Sequence, residues 1–330
     1  MAHGAGVVVI AEHAGQRLDP VTLEAVTAAR SLADAMDTTV TLGVIGADVD
    51  GVSRELAAVS GVDDVVMVND DRLAVFSGLA WTAAVVDLIR QIAPSVVLAP
   101  GTTSGRDYLP RVAARLKTGH AADAVAVVFS DGKVTAIRPV LGSRAQSAVA
   151  FEGEGIATLT MRPGASARAA ATGGSAPVRA HDVALDERDL IVKADTPEGA
   201  TGGAQALDSA ERIVAGGRGL GSQDRFALVE ELAGALNAAV AVTRPLSDAG
   251  WRPHTDQIGQ TGARVSPKLY IAVGISGAVQ HLVGVQNADY IVAINRDANA
   301  PIFKVASYGI VGDLLEVVPA VIDELRATQG

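Results

Sequence analysis

The feature that most limits how this chain can fold is a rhythm: short runs of Val, Ile, Leu and Ala alternate with helix-length amphipathic stretches. Val7 to Glu12, Thr39 to Gly46, Val65 to Val68 and Ser95 to Pro100 read as buried strands. Between them lie helical patterns, one opening near Asp19-Pro20, a second after Gly46 and a third from Ser77 to Gln91. Parallel strands need crossovers of this length, and helices on both faces bury the strands completely, so the pattern predicts an α/β protein with a parallel sheet. Gly101 to Gly105 reads as a loop, and Arg106 to Lys117 as a helix with Leu109, Val112, Ala113 and Leu116 on one face. From Val125 to Arg162 the period changes to two. Val134 to Pro139, Ser147 to Phe151 and Ile156 to Met161 are expected to form an antiparallel annex.

Between about Arg188 and Asp208 the chain is polar, Gly-bearing and without period, as a linker is. With 330 residues there is material for two cores, and domains are expected at 1–203 and 204–330. The stretch Lys193 to Asp208 lacks apolar anchors and is expected to act as a hinge. Beyond it the βα rhythm restarts: strands at Arg212 to Ala215, Ala239 to Thr243, Leu269 to Val273 and Tyr290 to Asn295, and helices at Asp224 to Leu236 and through Gln280 and His281.

Composition excludes several kinds of chemistry. A formal charge of -10, with aromatics at 3%, disfavours nucleic acid and anionic membrane surfaces. The absence of cysteine rules out disulfides, thiolate nucleophiles and a Cys-ligated cluster in this chain, so redox chemistry would need an organic cofactor. His3, His13, His120, His181 and His254 show no metal-ligand spacing. Asp63-Asp64 and Asp70-Asp71 are expected to be solvated turn residues. Met1 to Glu12 has no basic residue before its short apolar run, and the uncharged stretch Leu269 to Ala288 is interrupted by Ser276, Gln280 and His281. A cytoplasmic protein without membrane insertion is expected.

Five loops of the second domain follow strands and would line the ligand crevice of an open parallel sheet. They are Gly216 to Ser222, Thr243 to Pro245, Gln257 to Gly262, Gly274 to Gly277 and Asn295 to Asp297. Glycine lets backbone amides approach a phosphate, and a helix opening at Gly274 to Gly277 would add its positive end. Glycine after a strand equally serves a tight turn, and Gly217, Gly219 and Ser222 miss the third glycine of GxGxxG. Gly101 to Asp107 has the form of a nucleotide loop, yet Ser and Thr before a helix are ordinary caps, the favoured reading.

Taken in order, these segments resemble the electron transfer flavoprotein α subunit. Leu269-Tyr-Ile-Ala-Val-Gly-Ile-Ser-Gly-Ala-Val-Gln-His281, Gly284 and Ile291-Val-Ala-Ile-Asn295 carry the resemblance. So do Gly216-Gly-Arg-Gly-Leu220, Gln257-Ile-Gly-Gln-Thr-Gly262, Ala300-Pro-Ile-Phe303 and Tyr308-Gly-Ile-Val-Gly-Asp313. The first domain fits more loosely, through Glu12-His13 and Leu98 to Asp107. The resemblance implies a nucleotide-binding-like N-terminal domain that meets a β subunit, and a Rossmann-like C-terminal domain that binds FAD. It implies a heterodimer taking electrons from dehydrogenases and passing them to a membrane quinone reductase, with no substrate turnover of its own. Among site residues, it implies that Arg218 and Ser276, Gly277, Ala278, Val279, Gln280 and His281 hold the pyrophosphate and ring edge. Ile258, Gly259 and Gln260 would also contact the FAD, Thr261 would hydrogen-bond flavin N5, and Arg244 would set a cation beside the isoalloxazine. Asn295 and Asp313 would fix ribityl and adenosine. Thr243 stands where relatives commonly have Ser, keeping a hydroxyl. Arg244 and His281 would then supply the charge and donors that a reduced, anionic flavin wants. The rival readings are a nicotinamide-dependent enzyme of a deoxyhypusine-synthase-like fold and a nucleotide-sensing module.

Overall fold

The computed structural model describes residues 6–141, 145–153, 155–170, 175–192, 207, 210–285 and 288–329. The chain divides into two compact units, Met1–Ala200 and Thr201–Gly330. The expected hinge at 193–208 lies, apart from Leu207, outside the described residues.

In the first unit β1 (Val7–Ile10) leads into a two-residue ladder, β2 (His13–Ala14) with β3 (Arg17–Leu18), and then α1 (Val21–Met36). There follow β4 (Val40–Gly46), α2 (Asp50–Ala57), β5 (Asp64–Asn69), α3 (Gly78–Ile92), β6 (Val96–Pro100), α4 (Thr103–Leu116) and β7 (His120–Ala124). β8 (Ala126–Ser130), β9 (Lys133–Val140) and β10 (Ala145–Ala150) form a separate antiparallel sheet; β11 (Ala157–Met161) and β12 (Val178–Ala180) complete the unit. The main sheet runs β12-β5-β4-β1-β6-β11-β7, all parallel. Alternation along β1 shows why helices cover both faces. Val7 and Val9 pack with Ala25, Ala29 and Leu32 of α1, whereas Val8 and Ile10 pack with Val85, Leu88 and Ile89 of α3. Strands with no polar face have to be covered twice.

Two expectations are corrected here. Ile156 to Met161 is not part of the annex: β11 pairs in parallel with β6 and β7, and all five of its residues are buried. A Thr at every second position looks amphipathic, but Thr158 and Thr160 find partners inside, Thr158 donating to the Gly119 carbonyl and Thr160 accepting from the Asp123 amide. The loop expected at Gly101 to Gly105 is already helical from Thr103, because Thr102 caps it, its hydroxyl accepting from the Gly105 amide at 3.0 Å. Nor are the acid pairs merely solvated. Asp63 accepts from Arg30 and from the Val40 amide, Asp64 pairs with Arg179, and Asp70 caps the turn carrying Arg72.

The second unit contains β13 (Arg212–Gly216), α5 (Ala227–Leu236), β14 (Ala239–Val242), α6 (Arg244–Asp248) and β15 (Leu269–Val273). It continues with α7 (Val279–Leu282), β16 (Tyr290–Asn295), β17 (Tyr308–Val311) and α8 (Leu314–Gln329). Its sheet is parallel, in the order β14-β13-β15-β16-β17. Val214, Val273 and Ile294 pack beneath Leu232 of α5 and Val318 of α8, while Ile213, Ala215 and Ala272 face the opposite layer with Ile258 and Ile302. The helix expected to open at Gly274 to Gly277 is a single turn that starts after Ala278, and so supplies no extended dipole.

Candidate functional site

In the second sheet the chain steps outward from β13 to β14 on one side and to β15, β16 and β17 on the other. The crevice outside the C-terminal strand ends, where the order reverses, is where open parallel sheets bind ligands. A cavity of about 620 Å³ opens there, lined by residues 217–219, 243–245, 257–261, 274–278, 280–281, 295–297 and 300–301.

Backbone geometry builds its floor. A Cβ on Gly217 would stand 2.5 Å from the Gly274 carbonyl oxygen, so the loops after β13 and β15 touch main chain to main chain. Only glycine permits that approach. Gly259, at φ 142°, docks the loop 257–262 on α7, where the Gln260 amide donates to the Gln280 carbonyl at 2.7 Å. The consequence for binding lies at 275–278. The amides of Ile275, Ser276, Gly277 and Ala278 donate to no acceptor among the described residues. Successive free amides form an anion-binding concavity.

Two guanidiniums complement them. Among the described residues the guanidiniums of Arg218 and Arg296 make no ion pair or hydrogen bond, and both residues line the cavity. Arg244 differs: it is exposed and its Nε donates to Asp248 Oδ2 at 3.2 Å, one helical turn on. The expected fixed cation is therefore a paired and solvated one. Thr243, buried, precedes α6 and lines the cavity beside it. Thr261 Oγ1 accepts from Gln257 Nε2 at 3.0 Å, which leaves its hydrogen free to donate. Asn295 spends both ends on the protein, donating to the Ile275 carbonyl at 2.9 Å and accepting from the Asp297 amide at 3.0 Å. It ties two of the lining loops together.

His281 corrects an expectation. Its Nδ1 stands 3.1 Å from the Ile258 carbonyl and its Nε2 2.8 Å from the Tyr270 hydroxyl. A carbonyl only accepts, so Nδ1 carries the proton and Nε2 accepts from Tyr270. Burial pushes the imidazole down to about 4, against the opposing pull of the Ile258 carbonyl. The ring is neutral with both nitrogens engaged; it supplies neither charge nor a free donor, and instead locks Ile258 and the loop it begins. Of the other expected residues, Ile258, Gly259, Gln260, Ser276, Gly277, Ala278 and Gln280 line the cavity. Val279 points to solvent at 71% exposure and Asp313 caps α8, accepting from the Leu315 amide at 2.9 Å; neither lines it. Arg296, Gln257 and Asp297 are lining residues that sequence reasoning does not assign, although each lies in a loop it marks out. For Arg296 the available signal is a cation one position past the end of a buried strand.

Comparison with known proteins agrees with this architecture. Residues 7–186 match the electron transfer flavoprotein domain, and residues 206–286 match the electron transfer flavoprotein FAD-binding domain. The chain belongs to the electron transfer flavoprotein α subunits. It is 37% identical over 320 residues to the electron transfer flavoprotein subunit alpha of Thermoanaerobacterium thermosaccharolyticum, covering 96% of this chain and 97% of the relative. With the subunit alpha of Bacillus subtilis it shares 38% over 326 residues, 98% of each chain. The protein FixB of Clostridium saccharobutylicum is 38% identical over 97% of this chain and 96% of its own.

FAD is the cofactor of this family's C-terminal domain, and the residues present fit it. Four free amides and two unpaired guanidiniums suit a pyrophosphate, and a free hydroxyl donor suits a heteroaromatic ring edge. The cavity falls within the roughly 300–1,000 Å³ usual for small-molecule sites. Among the described residues no acid or histidine cluster could hold a metal ion, and no helix is long and apolar enough to cross a membrane.

Proposed function

We propose that this chain is the FAD-carrying α subunit of a heterodimer working in the cytoplasm in fatty acid oxidation. It accepts electrons from flavin dehydrogenases such as acyl-CoA dehydrogenases and passes them singly to a quinone reductase, with no substrate turnover of its own. The observation that carries this reading is the donor set of the cavity: free amides at 275–278, with Arg218 and Arg296 unpaired beside them. Arg218, Arg296 and those amides would hold the pyrophosphate. Thr261 would donate to flavin N5, and Arg244 would lie beside the isoalloxazine. Bound FAD supplies the capacity to take up two electrons and release them one at a time. The chain's part is to hold the ring, keep His281 neutral and present fixed donors rather than mobile water.

Two features support a partner subunit. β17 is an edge strand with all four residues exposed, Tyr308 at 64% and Val311 at 58% among them. The mean hydropathy of +0.29 is high for a chain with a formal charge of -10. Expressed alone the chain should be poorly soluble or flavin-deficient, as analytical ultracentrifugation and flavin counting would show. Co-purified with its β subunit it should be yellow, release one FAD per α chain on denaturation and undergo reversible reduction by dithionite. A colourless protein that binds nicotinamide, or one that binds an adenine nucleotide without reversible reduction, would overturn the proposal.

A further inference from the structure

We infer that Gln257 is a positioning residue that points the Thr261 hydroxyl proton into the cavity, an inference that rests on the reading of Thr261 as a donor to the flavin. Three side chains form the relay. Ser247 Oγ lies 2.6 Å from Gln257 Oε1, which His254 Nδ1 also approaches at 3.4 Å, and Gln257 Nε2 lies 3.0 Å from Thr261 Oγ1. Ser247 and Gln257 are 5% and 4% exposed, so water does not compete for the bond between them, whereas Thr261 is exposed at the cavity.

A carboxamide in such a chain has two orientations with opposite consequences. In one, the amide oxygen accepts from Ser247, the amide nitrogen donates to Thr261 Oγ1, and the Thr261 proton stays free. In the other, the amide nitrogen donates to Ser247, whose own proton turns to the Arg244 carbonyl 3.0 Å away. The amide oxygen then captures the Thr261 proton, and Thr261 offers the cavity a lone pair only. The distances select the first arrangement. A separation of 2.6 Å is ordinary for O–H···O and short for N–H···O, whereas 3.0 Å is ordinary for N–H···O. Ser247 and Arg244 share the short helix α6, which presents the serine to the interior and the arginine to the cavity mouth.

The nearly isosteric Gln257→Glu replaces this device by a group with acceptors only. Both hydroxyls then donate to the carboxylate, and the Thr261 proton turns inward. The experiment uses the flavinylated protein co-purified with its β subunit. It reads the first-electron midpoint potential, the oxidised absorption bands, and the melting temperature of the flavin-free form. Thr261→Ala should lower the equilibrium constant for the first electron roughly tenfold, the ratio for a hydrogen bond of ordinary worth and about 59 mV. Gln257→Glu should lower it by at least as much in the Thr261 protein, and roughly tenfold less in the Thr261→Ala background, where only the added charge acts. Ser247→Ala, which removes the shorter of the two contacts on the amide oxygen and so lets the amide turn over without adding charge, should lower the constant in the Thr261 protein and leave it unchanged in the Thr261→Ala background; it carries the same test if Gln257→Glu fails to fold. Equal effects of Gln257→Glu in both backgrounds would overturn the relay while Thr261 keeps its role. An unmoved potential in Thr261→Ala would overturn that role, and the relay with it.

Discussion

The two units of this chain carry the same kind of crevice and use it in opposite ways. In the first, the strand order reverses between β1 and β6; in the second, between β13 and β15. The first crevice is filled with side chains. Trp81 of α3 and Tyr108 of α4 have ring centroids 5.7 Å apart, Phe76 packs 5.4 Å from Trp81, and His13 lies 6.3 Å from Trp81. Glu12, just past β1, accepts from Thr102 at 2.9 Å across the switch point, whereas the buried Trp81 Nε1 and Tyr108 hydroxyl have no hydrogen-bond partner among the described residues. The second crevice has a floor of glycine and free amides, carries the unpaired guanidiniums of Arg218 and Arg296, and stays open. Topology supplies a place for a ligand, but the side chains around it decide whether the place is used.

The largest effect that would test this contrast is the loss of the aromatic filling. Trp81 is 6% exposed, and Trp81→Ala should cost about 3–5 kcal/mol of first-unit stability through the cavity it leaves. The flavin spectrum should not move. A denaturant titration showing a small loss, or a variant that gains an adenine-nucleotide site, would mean that the first crevice is less committed to packing than its contacts indicate.

A second test uses pH. Each unit holds a neutral histidine: His281, buried, and His120, half-buried, which is pushed down to about 4 by burial and by nearby Arg138. A folded pKa below the ordinary histidine value of about 6.5 means that the unfolded chain binds the proton more readily, so stability falls as pH drops from about 6.5 toward about 4. For His281 the full loss would be about 3 kcal/mol. In the first unit acidification should appear as unfolding alone, and in the second as unfolding together with FAD release. His281→Gln should flatten the acid limb of FAD release between pH about 6.5 and 4. An unchanged limb would place the sensitive group elsewhere.

The contrast also separates what the sequence discloses from what it hides. Strands and crossovers were legible because each is a local pattern, and so were the loops at 217–219, 274–277 and 295–297, which follow strands; residues 257–262 were expected after a strand but follow the turn His254–Asp256, and Arg244 already opens α6. His281 was not. Its partners, Tyr270 and the Ile258 carbonyl, are 11 and 23 positions away, and only folding turns a histidine in a cofactor motif into a neutral strut. β11 was hidden for a similar reason: alternating Thr in a strand looks half-exposed until an adjacent strand supplies partners for the hydroxyls. Asp313 ends a motif yet serves α8, since a carboxylate before a helix meets free amides whatever else is near.

A smaller effect is expected at the unpaired guanidiniums. Arg218→Ala or Arg296→Ala should each weaken FAD binding by about 1.5–3 kcal/mol, the range for a hydrogen bond to a charged group. Neither should lower the melting temperature of the flavin-free form, since neither arginine leaves a partner behind among the described residues. Fluorescence titration of released FAD measures the first quantity and a thermal melt the second. If either variant destabilised the flavin-free form, that arginine would belong to the scaffold, and the second crevice would resemble the first.

The smallest effect is expected at Arg244, where the two ways of treating a charge meet in one side chain. Its guanidinium lines the open cavity, yet it is also 67% exposed and paired with Asp248. A unit charge about 4 Å from another in a water-like surrounding interacts by about 1 kcal/mol, and the paired carboxylate reduces this further. Reduction adds negative charge to the flavin, so a cation favours the reduced form and its removal lowers the potential. Arg244→Ala should therefore lower the first-electron potential by at most about 45 mV, from the equivalence of 59 mV with a tenfold change. Asp248→Asn frees the same cation from its partner and should shift the potential upward. Opposite signs for these two variants, read by stepwise reduction at low ionic strength, would show Arg244 acting through its charge. The same sign in both, or a shift that persists unscreened at high salt, would assign Arg244 to packing at the cavity mouth.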